Sequence, residues 1–251
     1  ASSNVFTAGL VYTPGGDDRI NSLQDEDRLT GTGTNATLNA TLGNANDNGG
    51  TMITPTLVNI NTVNTAFTGS AGGVVGRVNT LDLQDATGVN AVNITRISEG
   101  FGATVQNIAS AAKNLSVKNS QSPNNTVNFT FLGSAVAGTA DSTTLTVSNV
   151  NTGGIRVEQN AAVPTQGFET IELVSSGSAN AVGVLRAEDL ATLTISGTQD
   201  LRLGGRGVTI GAQGVEAVRY ADGLANVNGS LTKINASTFE GKLDLTLGNE
   251  S

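Results

Sequence analysis

The chain has 251 residues, a net charge of −8 and no cysteine, histidine or tryptophan. It therefore forms no disulfide and offers no imidazole base or thiolate nucleophile, and its acidic balance disfavours nucleic acid as a partner. Only 14% of the residues are charged and 4% are aromatic, while glycine occurs 32 times and proline 4 times. This composition predicts a core of Val, Leu, Ile and Ala joined by many tight turns.

Apolar residues recur at every second position in short segments that Gly, Asn, Ser or Asp close. Such segments, rich in β-branched residues, predict strands with one buried face. Up to residue 166 the predicted strands are Phe6 to Tyr12, Ala36 to Leu42, Leu57 to Val63, Val78 to Leu83, Val89 to Ile97, Leu115 to Lys118, Thr126 to Leu132, Thr143 to Val147 and Ile155 to Glu158. Later strands are predicted near Phe168, Val182, Leu190, Leu201, Val208, Val215, Leu231 and Leu243.

Three segments of the chain are not predicted simply as strands. The run from Ala103 to Lys113 fits either a short helix or a strand that enters a turn. The run from Ala187 to Leu190 predicts one helical turn at a corner. The polar run from Asn119 to Asn125 predicts a connector, which divides the chain into an N-terminal β region, residues 1–118, and a C-terminal repeat region, residues 119–251.

The regular return of short strands predicts an all-β fold, either a parallel β-solenoid or a β-sandwich. Sandwiches use many two-residue Asn-Gly or Asp-Gly hairpin loops, whereas most turns here lack that form. Strands of similar length and ladders of like residues favour the solenoid.

Four segments have a distinctive sequence: the acidic run from Gly15 to Gly33, the run from Gly167 to Leu173, the run from Ala187 to Gly197 and the run from Ile234 to Gly241. They resemble segments of bacterial surface-layer proteins and large adhesins exported by type I secretion, including the Caulobacter-type surface-layer proteins. The resemblance implies a calcium-dependent, strand-rich coat or adhesive fibre. The tandem glycine- and aspartate-rich nonapeptide of calcium-binding repeats is absent, however, so any Ca²⁺ is expected in irregular loops.

The densest acidic cluster is the candidate calcium site. Ca²⁺ takes six to eight oxygen ligands, which carboxylates and main-chain carbonyls supply. Five acids stand here against Arg19 and Arg28, and the alternative interpretation is a solvated loop. A second, Asn-rich loop alternates polar residues in the same way. The candidate metal ligands are Asp17, Asp18, Asp25, Glu26, Asp27, Asn46 and Asp47.

The sequence predicts an extracellular structural protein at the cell surface, not an enzyme, which self-assembles into a surface layer or fibre with Ca²⁺ stabilising its loops. Its expected partners are further copies of the chain in an oligomer or lattice, and a cell-surface polysaccharide. The alternative is an adhesin or ligand-binding module for a glycan, ice or a host surface. No segment approaches the ~18 apolar residues of a transmembrane span.

Overall fold

The computed structural model describes residues 3–16, 19–43, 52–69, 78–98, 102–205, 223–226 and 228–248. Within them the chain is all-β, and its main sheet contains 17 strands that stack coil upon coil in parallel and bend into two faces. The prediction of a parallel β-solenoid is confirmed. The described coils do not form a sandwich, because the chain returns to each face in the same direction.

The two faces share one long strand, β14, which turns the corner between them. The front face stacks β1 (Val5–Ala8), β5 (Thr37–Leu42), β8 (Thr62–Phe67), β10 (Ala91–Ile97), β12 (Asn114–Ser120), the first half of β14 (Ser142–Gln159), β15 (Thr170–Ser176), β17 (Thr192–Gly197) and β20 (Lys233–Phe239). The back face stacks β6 (Met52–Ile53), β9 (Val78–Asp82), β11 (Gly102–Ile108), β13 (Thr126–Phe131), the second half of β14, β16 (Asn180–Arg186), β18 (Leu201–Leu203), β19 (Gly223–Ala225) and β21 (Leu243–Leu245).

Smaller elements accompany the first coils. Strands β2 (Leu10–Tyr12) and β3 (Arg19–Asn21) pair as an antiparallel hairpin, and β4 (Arg28–Thr30) pairs in parallel with β7 (Thr56–Val58). A single 3-10 turn covers Gly133–Ala135. The segment that fitted either a helix or a strand begins with β11, and the corner expected before Leu190 is a turn with Asp189 at a φ of 64°. The strands expected near Val208 and Val215 lie outside the described residues.

The alternating sequence pattern becomes vertical columns in the stack. On the front face one inward column is aliphatic and buried in every described coil from β5 to β17; it comprises Leu38, Val63, Val92, Leu115, Leu145, Leu173 and Ile195. Because strands stack about 4.8 Å apart, each aliphatic side chain contacts the equivalent side chain of the next coil. The core is therefore a thin continuous ladder, as the scarcity of aromatic residues predicted.

The corner between the faces depends on residues that tolerate a left-handed backbone. Asn119 and Asn149 occupy equivalent corner positions with φ values of 54° and 57°, and Gly177 follows with 73°. Nδ2 of Asn149 donates to Oδ1 of Asn119 at 3.3 Å, and Oγ of Ser178 donates to Oδ1 of Asn149 at 2.6 Å. Asparagine is enriched in this backbone region because its short side chain bonds locally. Asn119 and Asn149 thus form corners between the two faces.

Candidate functional site

The acidic cluster lies partly in the described structure. Asp25 and Glu26 form an exposed turn, and Asp27 follows it just before β4. Oδ1 of Asp25 accepts the amide of Thr54 at 2.8 Å, and Oδ2 of Asp27 accepts the amide of Gln24 at 2.9 Å. These two carboxylates therefore hold backbone amides of the first coils, and the second oxygen of each accepts no hydrogen bond from the residues that the structure describes.

The other predicted ligands, Asp17, Asp18, Asn46 and Asp47, lie outside the described residues. Among the residues that the structure describes, no group of three or more acidic side chains is placed to hold a metal ion. The calcium site therefore stays a prediction, as does the division of the chain at residues 118 and 119.

Asp82 is a buried hydrogen-bond acceptor at the end of β9. Its Oδ2 accepts Nε2 of Gln106 and Nδ2 of Asn107, each at 2.8 Å, and its Oδ1 accepts the amide of Gln84 at 2.9 Å. Charge-assisted bonds of this kind are stronger than neutral ones, so Asp82 fastens one coil to the next. The Leu81-Asp-Leu-Gln-Asp85 sequence gave no sign of partners a full coil away.

A buried ion-pair cluster lies where β14 and β16 leave the back face. Glu158 and Glu188 are fully buried, and the equivalent Arg156 and Arg186 stack in register one coil apart. Arg156 binds Oε1 of Glu158 through both Nε and Nη2. Nε of Arg186 lies 2.9 Å from Oε2 of Glu158, at an angle too poor for a hydrogen bond, and donates to Oε1 of Glu188 at 3.2 Å.

The cluster contains two acidic and two basic side chains, yet burial has the largest effect on the pKa of Glu158 at its centre. Burial raises the pKa of the Glu158 carboxyl, and the neighbouring Arg156 and Arg186 oppose that shift without cancelling it. Sequence reasoning missed this cluster although a signal existed, because the tripeptides Arg156-Val-Glu158 and Arg186-Ala-Glu188 repeat the same spacing. Residues two apart on a strand share a face, so the repeated Arg-x-Glu spacing predicts an Arg and a Glu side chain on the same face of each coil.

A ladder of amide side chains runs up the outer surface of the front face. Asn39, Asn64 and Asn93 occupy one outward column, followed by Ser116. Nδ2 of Asn64 donates to Oδ1 of Asn39 at 2.8 Å, Nδ2 of Asn93 donates to Oδ1 of Asn64 at 2.8 Å, and Oγ of Ser116 donates to Oδ1 of Asn93 at 2.7 Å. All three bonds point the same way along the axis, so the amide dipoles are aligned.

Beside this ladder lies an open groove with a volume of about 430 Å³. It crosses the outer surface of β1, β5, β8, β10 and β12, with the asparagine ladder along one side and small residues along its floor and other side. Its lining consists of Thr7, Ala8, Gly9, Asn39, Ala40, Thr41, Asn64, Ala66, Asn93, Thr95 and Lys118. Apart from Lys118 this lining is uncharged, and it contains no aromatic ring.

The ends of the front face form the last surface of interest. Within the described residues β1 pairs only with β5, and β20 pairs only with β17. Val5 of β1 is 66% exposed. A strand with one neighbour presents a row of unpaired N–H and C=O groups to any strand that can approach it. Within the part of the chain that the structure describes, the front face therefore ends in β1 at one end of the stack and in β20 at the other, and each of these strands has one neighbour.

None of the described residues builds a helix with the length and apolarity needed to cross a membrane.

Compared with known proteins, the chain matches no family model, no curated protein and no solved structure.

Proposed function

We propose that the protein is an extracellular structural element that self-assembles into a surface fibre or layer through the ends of its solenoid. The observation that carries the proposal is that β1 and β20 lie at opposite ends of one continuous sheet and, among the described residues, each pairs with a single neighbouring strand. A parallel solenoid has a direction, so its two ends differ and the natural contact joins β1 of one copy to β20 of the next. Such head-to-tail contacts extend without closing.

Backbone geometry supports this assignment for β1. The carbonyl of Asn4 accepts the amide of Thr37, so the backbone groups of Asn4 point towards β5. In a parallel pair these groups alternate along the strand, which leaves those of Val5 and Thr7 facing the free edge. Few charged side chains protect that edge, since β1 itself reads Val-Phe-Thr-Ala.

Calcium forms the second part of the proposal. The turn at Asp25, Glu26 and Asp27 lies in the first coils, at the end of the stack that carries β1. A cation bound there, with ligands from the neighbouring acidic residues, reduces the repulsion of a chain with a net charge of −8 and stiffens the loops beside the edge. Since Ca²⁺ then binds the folded assembly, it stabilises that assembly by mass action.

The test follows the purified chain by light scattering and negative-stain microscopy over a range of concentrations, with Ca²⁺ added and then removed by EGTA. Filaments or sheets that grow with Ca²⁺ and dissolve in EGTA are expected. A monomer that neither reagent changes would contradict both parts of the proposal. Assembly that ignores EGTA would leave the edge contact standing and remove calcium from it.

A proline at the edge tests the contact itself. Val5→Pro deletes an N–H that faces the free edge and spares the bonds between β1 and β5, so the concentration needed for assembly should rise about tenfold. Val5→Lys should act in the same direction, because edge lysines oppose strand addition. Val163→Lys is the matched control, since Val163 is 78% exposed in a loop away from the edge. Equal assembly by all four proteins would exclude the β1 edge as the contact.

A further inference from the structure

The groove on the front face is large enough to hold a small ligand. Its volume of about 430 Å³ lies within the range of small-molecule sites, roughly 300 to 1,000 Å³. It crosses five stacked strands, so it is about 19 Å long at the usual strand spacing. A groove of this shape takes an extended chain that lies parallel to the solenoid axis.

The amide ladder leaves regular hydrogen-bonding capacity on the wall of the groove. Asn64 uses one N–H towards Asn39 and one lone pair towards Asn93, which leaves it one N–H and one lone pair. Nδ2 of Asn39 donates to no atom of the described residues. Each coil therefore presents a donor and an acceptor, repeated about every 4.8 Å. The rise per sugar of an extended β-1,4-linked hexose polymer is close to that spacing, so successive sugars can meet successive coils.

The charges of the groove and of the whole chain favour a neutral ligand over an anionic one. The lining contains no acidic residue and one base, Lys118, while the whole chain carries a net charge of −8. A polyanion would find one cation in the groove and repulsion from the rest of the molecule. Hydroxyl groups, in contrast, can both donate to the asparagine carbonyls and accept from their N–H groups.

We propose that the groove beside Asn39, Asn64 and Asn93 binds an extended, neutral, β-linked glycan. The ladder contacts the sugar hydroxyls, and the low floor of Gly9 and Ala66 admits the rings.

The groove reaches β1 through Thr7 and Ala8, but it lies on the outer surface of that strand, whereas the end contact uses the backbone groups of its edge. Variants on the groove floor and variants at the edge therefore test the two proposals separately.

The test uses cellohexaose and hexa-N-acetylchitohexaose as extended neutral probes and a hexameric oligogalacturonate as the anionic probe, each titrated at millimolar concentration by calorimetry. At least one neutral hexasaccharide should bind, and it should bind more tightly than the oligogalacturonate. Absence of binding by every neutral probe, or preference for the anionic one, would overturn the proposal.

Blocking variants locate the site. Ala66→Leu fills the floor of the groove without adding an aromatic surface that could itself stack on a sugar, so it should weaken binding at least about tenfold. Thr194→Leu is the matched control, because Thr194 lies partly exposed on the same face outside the groove and should leave binding unchanged. If Ala66→Leu fails to fold, as judged by circular dichroism, Thr41→Leu obstructs the groove one coil away. A folded blocking variant that binds as tightly as the parent chain would place the glycan elsewhere.

Discussion

At the scale of single residues, the stack places a few polar side chains where a change of coil brings them together. Glu158 is the clearest case, because its carboxylate is fully buried between Arg156 and Arg186. Replacing such a cluster by apolar residues often costs nothing, whereas removing one partner leaves a buried charge uncompensated. The contribution of the ion-pair cluster to the free energy of unfolding therefore depends on which of its side chains are ionised.

Glu158 is expected to make stability depend on pH. Its pKa is raised from the ordinary value of 4.5, so the folded chain holds the proton more tightly than the unfolded chain. The stabilisation by protonation is complete below pH 4.5 and is lost as the pH rises through the folded-state pKa. The difference in unfolding temperature between the parent chain and Glu158→Gln should shift in favour of the parent as the pH falls through this window.

Thermal unfolding monitored by circular dichroism from neutral pH to pH 4 measures that difference. Glu26→Gln is the matched control, since Glu26 lies in an exposed turn. A difference between the parent and Glu158→Gln that stays constant with pH would show that burial does not control this carboxyl.

At the scale of the strand, alternate residues have opposite roles. On β14, Leu145 belongs to the buried aliphatic column and is 0% exposed, while its neighbour Thr146 belongs to the outward column and is partly exposed. Each buried residue contacts equivalents in the coils above and below, so a truncation leaves a cavity that neither neighbour can fill. The energetic cost of a substitution is therefore set by the face on which it lies.

Leu145→Ala should lower the free energy of unfolding by about 3 kcal/mol, because it removes a large buried side chain from the centre of the stack. Thr146→Ala, one residue away, should change it by less than about 0.5 kcal/mol. Urea denaturation of the two variants beside the parent chain makes the comparison. Similar losses in both would mean that the column does not carry the core.

At the scale of the whole molecule, the solenoid is a linear array in which each coil contacts the coils directly above and below it. The stability of such arrays is approximately a sum of coil terms and nearest-neighbour terms. A coil in the middle has two neighbours, and a coil at an end has one. Local opening is therefore cheapest at the ends.

Amide hydrogen exchange followed by mass spectrometry should show this gradient. Slowest exchange is expected for β12, β14 and β15, and fastest exchange for β1 and β21. If assembly joins the ends as proposed, protection of β1 should rise in the presence of filaments and that of β14 should change little. Uniform protection from end to end in the monomer would contradict the nearest-neighbour description.

The sequence by itself determined the strand-forming character of the chain and the choice of a solenoid. Period-two alternation fixes which side chains share a face, and short strands closed by Asn and Gly fix the spacing of corners. These are local properties, and they also sufficed for the corner at Asp189. The choice between helix and strand for the residues after Ala103 needed the neighbouring strands β9 and β13, because their hydrogen bonds override a weak local preference.

Only the tertiary structure decided which polar residues meet. Asp82 with Asn107, Glu158 with Arg186, and Asn39 with Asn64 are each separated by a coil of irregular length, so their contacts depend on the register of the whole stack. A shift of one residue in the register of a strand would turn its side chains to the opposite face and break these contacts. Strand propensity depends on residues that are neighbours in the sequence. The asparagine ladder, the groove and the ion-pair cluster depend instead on the register between coils, which only the tertiary structure defines.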